Sequence, residues 1–175
     1  MGLFDLEKHF AFYGAYHSNP TNIVIHMIFV WPILFTALVL LYFTPPLFKY
    51  SPIELGDQSV LILNYGFFFT VIYALYYVGL DKKAGFLAAF LCFVCWVGSS
   101  FLAHRLGYTL AWKKRAPALL DNLAQAFLMG PFFVLLEGLQ SAFGYEPYPG
   151  FHARVKAKVD AEIKEWKDKK QNKLS

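Results

Sequence analysis

Charge is what this chain has least of. Only 16% of its 175 residues are Asp, Glu, Lys or Arg, where soluble domains average about a quarter. By contrast, 57% are hydrophobic and 19% aromatic. That shortage excludes an ordinary soluble surface and points into a bilayer. Cysteine is scarce too: Cys92 and Cys95 are the only two. No disulfide framework follows, and a C-F-V-C without a second pair completes neither a zinc nor a redox site. Inside an apolar run the two read as small core residues. The opening "MGLFDLEKHF" lacks the basic segment and cleavable apolar stretch of a signal peptide. Leu6 stands where myristoylation at Gly2 needs Ser or Thr. Insertion is therefore expected to rest on internal transmembrane helices. There is no internal repeat, and the desaturase-type boxes H-x-x-x-H and H-x-x-H-H are missing.

What charge there is sits unevenly. The formal net charge is +4, and eight of the sixteen Lys and Arg lie beyond Gly150. Basic residues gathered in a tail fit a membrane surface rather than nucleic acid. The chain divides accordingly into a helix-bundle domain, 1–150, and a basic helical tail, 151–175.

The expected fold is all-α: a polytopic membrane helix bundle of three clear spans. A re-entrant or partial fourth apolar helix and a basic C-terminal amphipathic helix complete it. Residues 1–18 read as a short interfacial helix rich in aromatics, in which Tyr13 and Tyr16 fit an aromatic belt. Asn19-Pro20 punctuates it, Asn19 as a cap and Pro20 in a first turn where its missing N–H costs nothing. Ile23 to Phe43 carries no charge and is long enough for about 30 Å of hydrocarbon. Pro45-Pro46 ends it. A second span is expected over about Ser59–Val78. The tight turn "GLDKKAG" should return a third, about Ala84–Leu102, as an antiparallel hairpin. The run "ALLDNLAQAFLMGPFFVLLEGLQSAF" is apolar but broken by Asp121, Asn122, Gln125, Pro131 and Glu137. It is tolerable at membrane depth only where those groups face protein or water. In the tail, Phe151, Val155, Val159, Ile163 and Trp166 recur at helical spacing as one apolar stripe. Such a helix fits an anionic leaflet or plain solvent equally well.

Topology then meets a conflict. If Lys82 and Lys83 are cytoplasmic, the positive-inside rule puts the N-terminus there as well. The third span then delivers Arg105, Lys113, Lys114 and Arg115 to the unfavoured side. One more span between Trp112 and Lys114 would cure this. The chain looks one helix short.

Histidine is sparse, and its placement is the main chemical signal. His17 and His26 flank the start of the first span, and His104 stands at the end of the third. His9 and His152 read as surface residues. A histidine near a helix end can be an interfacial anchor, a hydrogen-bonded core residue or a metal ligand, and the residues alone leave these open. The stretch "FYGAYHSNPTNIVIHMIFVWP" resembles the F-Y-x-x-Y-H-x-N-P-x-N-x-x-I-H entry motif of the Mpo-type 2-hydroxy fatty acid dioxygenases of the endoplasmic reticulum. "KRAPALLDNLAQAFLMGPFFVLLE" is similar to the C-terminal signature of that family, and "FGYEPYPGFHARV" to its plant members. The resemblance covers essentially the whole chain.

It implies a multi-pass endoplasmic reticulum enzyme of fatty acid alpha-oxidation that uses Fe2+ and dioxygen. The substrate is a 2-hydroxy long-chain fatty acid, as from phytosphingosine breakdown, which leaves one carbon shorter. Membrane lipid is the implied surroundings, nucleic acid is not implied, and a homo-oligomer is allowed. The implied metal ligands are His17, His26 and His104. Asn19, Asn22, Asp121 and Glu137 would stand behind them as orienting partners, or one carboxylate would join the set. On one continuous helix, nine residues turn through about 900°, which puts His17 and His26 on opposite faces. The Asn19-Pro20 break removes that obstacle. Chemically the set is reasonable, since non-haem iron takes imidazole and carboxylate with positions left open. A bundle of two-histidine haem-binding helices fits less well, because these histidines cluster at membrane edges.

One departure stands out. The family carries a further hydrophobic helix ending in G-H-x-x-F-E before "KR-x-PAL". Here Ala111-Trp112-Lys113 runs straight into Lys114-Arg115-Ala116-Pro117, about twenty residues short. This is the gap that the charge rule exposes independently. It supports an alternative function: a catalytically impaired or inactive truncated variant acting as a non-enzymatic membrane protein.

Overall fold

The structure is a computed structural model. It describes residues 2, 4–16, 20–48, 52–54, 60–113 and 123–172, without the side chains at 16, 20, 22, 52–54, 60, 109–113, 123–127, 162 and 166–172. Among these it shows six helices and one short ribbon. In chain order they are α1 (Leu6–Tyr16), α2 (Pro20–Leu41), β1 (Pro52–Glu54), β2 (Val60–Ile62), α3 (Tyr65–Leu80), α4 (Lys82–Lys113), α5 (Leu123–Phe143) and α6 (Phe151–Asn172). The strands pair antiparallel, with Ile53 opposite Leu61. The chain is thus mostly helical, as expected, and α2 opens on Pro20, where a proline needs no hydrogen-bond partner.

Two compact units divide the chain. The central unit, Ile28–Phe132, is built on the α3–α4 hairpin. Asp81 alone links the two helices. Its N–H bonds Tyr77 O at 3.1 Å, closing α3, and its Oδ1 accepts from Ala84 N at 2.7 Å, opening α4. The helices close tightly because position 85 is glycine: a Cβ there would collide with the Tyr77 carbonyl. Asn64 starts α3. Its Oδ1 accepts from Gly66 N (2.9 Å) and Phe67 N (3.3 Å), and its Nδ2 donates to Tyr42 O at 2.8 Å. That fixes the end of α2 against the start of α3. Tyr77, fully buried, stacks on Phe132 at 5.1 Å and donates to Leu128 O at 2.7 Å. Hydroxyls inside these helices are satisfied locally: Ser99 and Ser100 both donate to Trp96 O, and Thr70 to Gly66 O. α4 breaks at Gly107, whose φ of 69° lies in the left-handed region.

The terminal unit, Met1–Met27 with Phe133–Ser175, packs α6 on α1. The apolar stripe of α6 is covered at its start: Phe151 and Val155 are buried, Val159 lies against Gly14 of α1, Ile163 is half-buried, and the side chain of Trp166 lies outside the described residues. Phe10 meets Phe133 at 5.3 Å and Phe151 at 5.6 Å. Glu7 of α1 takes three donors: Tyr148 OH (2.6 Å), Arg154 Nε (3.1 Å) and Lys158 Nζ (2.6 Å).

Two helices are long and apolar enough to cross a bilayer, over Ile23–Leu41 and Lys82–Tyr108, and only a minor part of each is buried. Tyr65–Leu80 and Leu128–Phe143 are shorter apolar helices. The second expected span therefore begins six residues late, because Val60–Ile62 enters the ribbon instead.

Candidate functional site

Three elements of the terminal unit bring chemistry-bearing side chains together. α1 supplies Tyr13, α2 supplies His26 and α5 supplies Glu137. All three are half-buried. Tyr13 OH donates to Glu137 Oε2 at 3.1 Å. The carboxylate also lies within electrostatic reach of the His26 ring. One residue further along each helix, α5 and α2 approach closely enough that a methyl at Gly138 would lie 3.6 Å from Met27 Cε. Tyr13 packs at 5.2 Å from Phe133 and 6.0 Å from Phe10, so aromatic carbon walls the phenol–carboxylate pair. Burial raises the Tyr13 phenol above its ordinary range, and the nearby Glu137 charge and hydrogen bond raise it further. The phenol therefore keeps its proton and serves the carboxylate as donor.

The expected site residues fall as follows. His26 and Glu137 both lie in the terminal unit, within electrostatic reach of each other. His104 is exposed on α4 in the central unit, where its Nδ1 lies 3.3 Å from Tyr42 OH. Where Nδ1 carries the proton and donates to Tyr42, Nε2 presents its lone pair; that is how a partner on one nitrogen prepares the other as a ligand. His17, Asn19 and Asp121 lie outside the described residues, and so does the side chain of Asn22. Among the described residues no three His, Cys, Asp or Glu side chains form a group able to hold a metal ion. Two donors of the right types lie within electrostatic reach of each other, the imidazole of His26 and the carboxylate of Glu137. The donor set suits ferrous iron as far as it goes and needs further ligands.

Two histidines correct the expectation. His9 is buried, at 7% exposure, with Nε2 3.1 Å from Gly2 O and no hydrogen-bond partner for Nδ1 among the described residues. His152 is half-buried, and its Nε2 lies 3.0 Å from Tyr145 O. His9 thus makes a local contact back to Gly2, and His152 one to the turn that precedes α6. Tyr13 carries no site role in the sequence reading, although it is the second residue of the F-Y-x-x-Y-H motif, one helical turn before His17.

The sequence profile of the family described as 2-hydroxy-palmitic acid dioxygenase Mpo1-like matches residues 3–142. The chain belongs to that family. The 2-hydroxy-palmitic acid dioxygenase MPO1 of Saccharomyces cerevisiae is 30% identical to it over 185 residues, covering 94% of this chain and 94% of the yeast protein. No solved structure matches the chain significantly. The part of this Mpo1-like chain matched by the profile contains Tyr13, His17, His26, His104 and Glu137 and stops before α6.

Proposed function

We propose that this Mpo1-like chain is an iron(II)-dependent membrane dioxygenase of the endoplasmic reticulum that shortens 2-hydroxy long-chain fatty acids by one carbon. Family membership and the printed activity of the yeast relative support the reaction class. The observation that carries the site is the Tyr13–Glu137 hydrogen bond between α1 and α5, with His26 of α2 within electrostatic reach of the carboxylate. The reaction balances with dioxygen as sole oxidant. A 2-hydroxy acid and one O2 give the acid one carbon shorter, CO2 and water. The bond between C1 and C2 breaks, and C2 becomes the new carboxyl carbon.

His26 and Glu137, joined by His17 from the segment between α1 and α2, are the proposed holders of the metal. Ferrous iron bound there supplies the one-electron chemistry that lets dioxygen react with a closed-shell acid. Phe10 and Phe133 exclude water from one side of the site. His104, the third expected ligand, stands on α4 in the central unit.

A lipid setting for α2, α3 and α4 is proposed from their surfaces. Each shows an unbroken apolar stripe to the outside: Ile25, Ile28, Phe29 and Ile33 on α2; Phe68, Phe69, Ile72 and Leu75 on α3; Phe86, Phe90, Phe93 and Val94 on α4. Exposed apolar area on that scale belongs in hydrocarbon. α3 has 16 residues, about 24 Å at 1.5 Å per residue, and its one-residue link to α4 carries it back across wherever α4 crosses. That makes three spans. α5 is the proposed partial fourth helix, with Phe132, Phe133 and Leu136 buried in protein.

The impaired-variant reading rests on the sequence before Lys114, where the charge rule and the family motif both find a helix short. One experiment separates the readings. The detergent-purified chain is stripped with a chelator, reloaded with Fe2+ and given 2-hydroxypalmitate, beside His26→Ala. Iron-dependent pentadecanoate formation by the wild type, lost in the variant, is the expected result. No product from wild type with iron bound would support the impaired form.

A further inference from the structure

We infer that Tyr13 is a positioning residue, whose hydroxyl holds the Glu137 carboxylate in place for His26. The inference rests on the site reading proposed above and gives a role to Tyr13, a tyrosine of the entry motif to which no site role attaches from the sequence. The geometry is specific. Tyr13 OH donates to Oε2 of Glu137 at 3.1 Å, which ties down one carboxylate oxygen and leaves Oε1 as the oxygen free to turn toward another partner. Donor and acceptor stand 124 residues apart in sequence, on α1 and α5, so no helical periodicity brings them together. The phenol is itself held. Phe133 lies against it at 5.2 Å and Phe10 at 6.0 Å, and Phe10 is buried between Phe133 and Phe151. A carboxylate on a helix has rotamer freedom to lose, and a half-buried one with a fixed donor loses it before any ligand arrives. Partners of this kind, one bond behind a metal-binding group, typically alter metal affinity by about 10–100-fold when removed.

The position of α6 extends the argument. α6 packs on the same helix that carries Tyr13, through Phe151 against Phe10 and through the Glu7 cluster. The residues beyond the family profile thereby brace the donor, although they carry none of the site's chemistry themselves.

The test uses the full-length chain in detergent with Co2+ as the probe, comparing wild type, Tyr13→Phe, Glu137→Gln and the double variant. Tyr13→Phe retains the ring packing and removes only the hydroxyl. It should weaken Co2+ binding about 10–100-fold and shift the visible ligand-field bands, with helix content and thermal midpoint near wild type. Glu137→Gln should weaken binding too, and adding Tyr13→Phe to it should change nothing further, since the hydroxyl acts through the carboxylate. Additive losses, or unchanged affinity in Tyr13→Phe, would overturn the positioning role. A second readout needs no metal. The carboxylate stretching bands assigned to Glu137 by the Gln difference spectrum should move in Tyr13→Phe, and unmoved bands overturn the contact itself. If wild type takes up no Co2+ while those bands still move, the site reading fails and the pair is left as packing alone.

Discussion

Asn64 concentrates more structural work than any other described polar side chain in the central unit. It is 1% exposed, caps α3 with its oxygen and holds the Tyr42 carbonyl with its nitrogen. Replacing it by Ala strands two helix-terminal N–H groups and one carbonyl. We expect Asn64→Ala to cost about 2–4 kcal/mol, from a lost cap and unsatisfied buried groups, read as the denaturant midpoint in micelles. A loss under about 0.5 kcal/mol would mean that water reaches the site. Tyr42 has its own backbone pinned by Asn64 and its hydroxyl on His104, so the same variant should loosen that ring. At this scale the sequence shows which residue types can do chemistry and little of which ones meet. His26 and Glu137 are visible as candidates by motif. Their company with Tyr13 is not, because a contact spanning 124 residues depends on how three helices close.

Between helices, the most testable contact is the Glu7 cluster that fastens α6 to α1. Hydrogen bonds from Lys158 and Tyr148, with the two cations' charges, hold the Glu7 carboxyl below its ordinary value of 4.5. Burial and the Glu7 bond push the Tyr148 phenol up to about 12. A depressed carboxyl stabilises the fold fully above its unfolded value, near pH 4.5, and loses that contribution as pH falls through the lower folded value. Arg154 and Lys158 are about half exposed, which screens the pair. Glu7→Gln should therefore cost only about 1–2 kcal/mol at pH 7. The difference from wild type should shrink steadily below pH 4.5, measured as thermal midpoints at matched pH. A gap that is constant with pH would show that shape, not charge, joins these helices.

The α3–α4 hairpin makes a second prediction at this scale. A Cβ at position 85 meets the backbone of Tyr77 and Val78, which no rotamer change relieves. Gly85→Ala should destabilise by about 2–3 kcal/mol. Its check is the unfolding midpoint of the intact chain, and an unshifted midpoint would place the helices farther apart. The hairpin itself is legible in the sequence, since two apolar runs around "GLDKKAG" leave little else to form. The start of α3 is not. Val60-Leu61-Ile62 is a short apolar run that suits a strand or a helix equally, and the Asn64 cap decides where the helix begins. The stripe on α6 is readable from its period, whereas its cover, α1, depends on packing.

For the whole molecule, the family and the helical class agree with the sequence reading, and two helices are long and apolar enough to cross a bilayer where three spans were expected. The charge rule and the motif both find a helix short near Trp112. Of the "KKR" at 113–115, Lys114 and Arg115 lie outside the described residues, so its side of the membrane is a question for topology mapping. The central claim is chemical and has a direct measurement. The iron-loaded chain in detergent, supplied with 2-hydroxypalmitate in a sealed oxygen cell, should consume one O2 for each pentadecanoate and each CO2 released. It should stop when iron is removed and in His26→Ala. Shortened acid formed without oxygen uptake, or uptake unchanged by iron removal, would contradict the account.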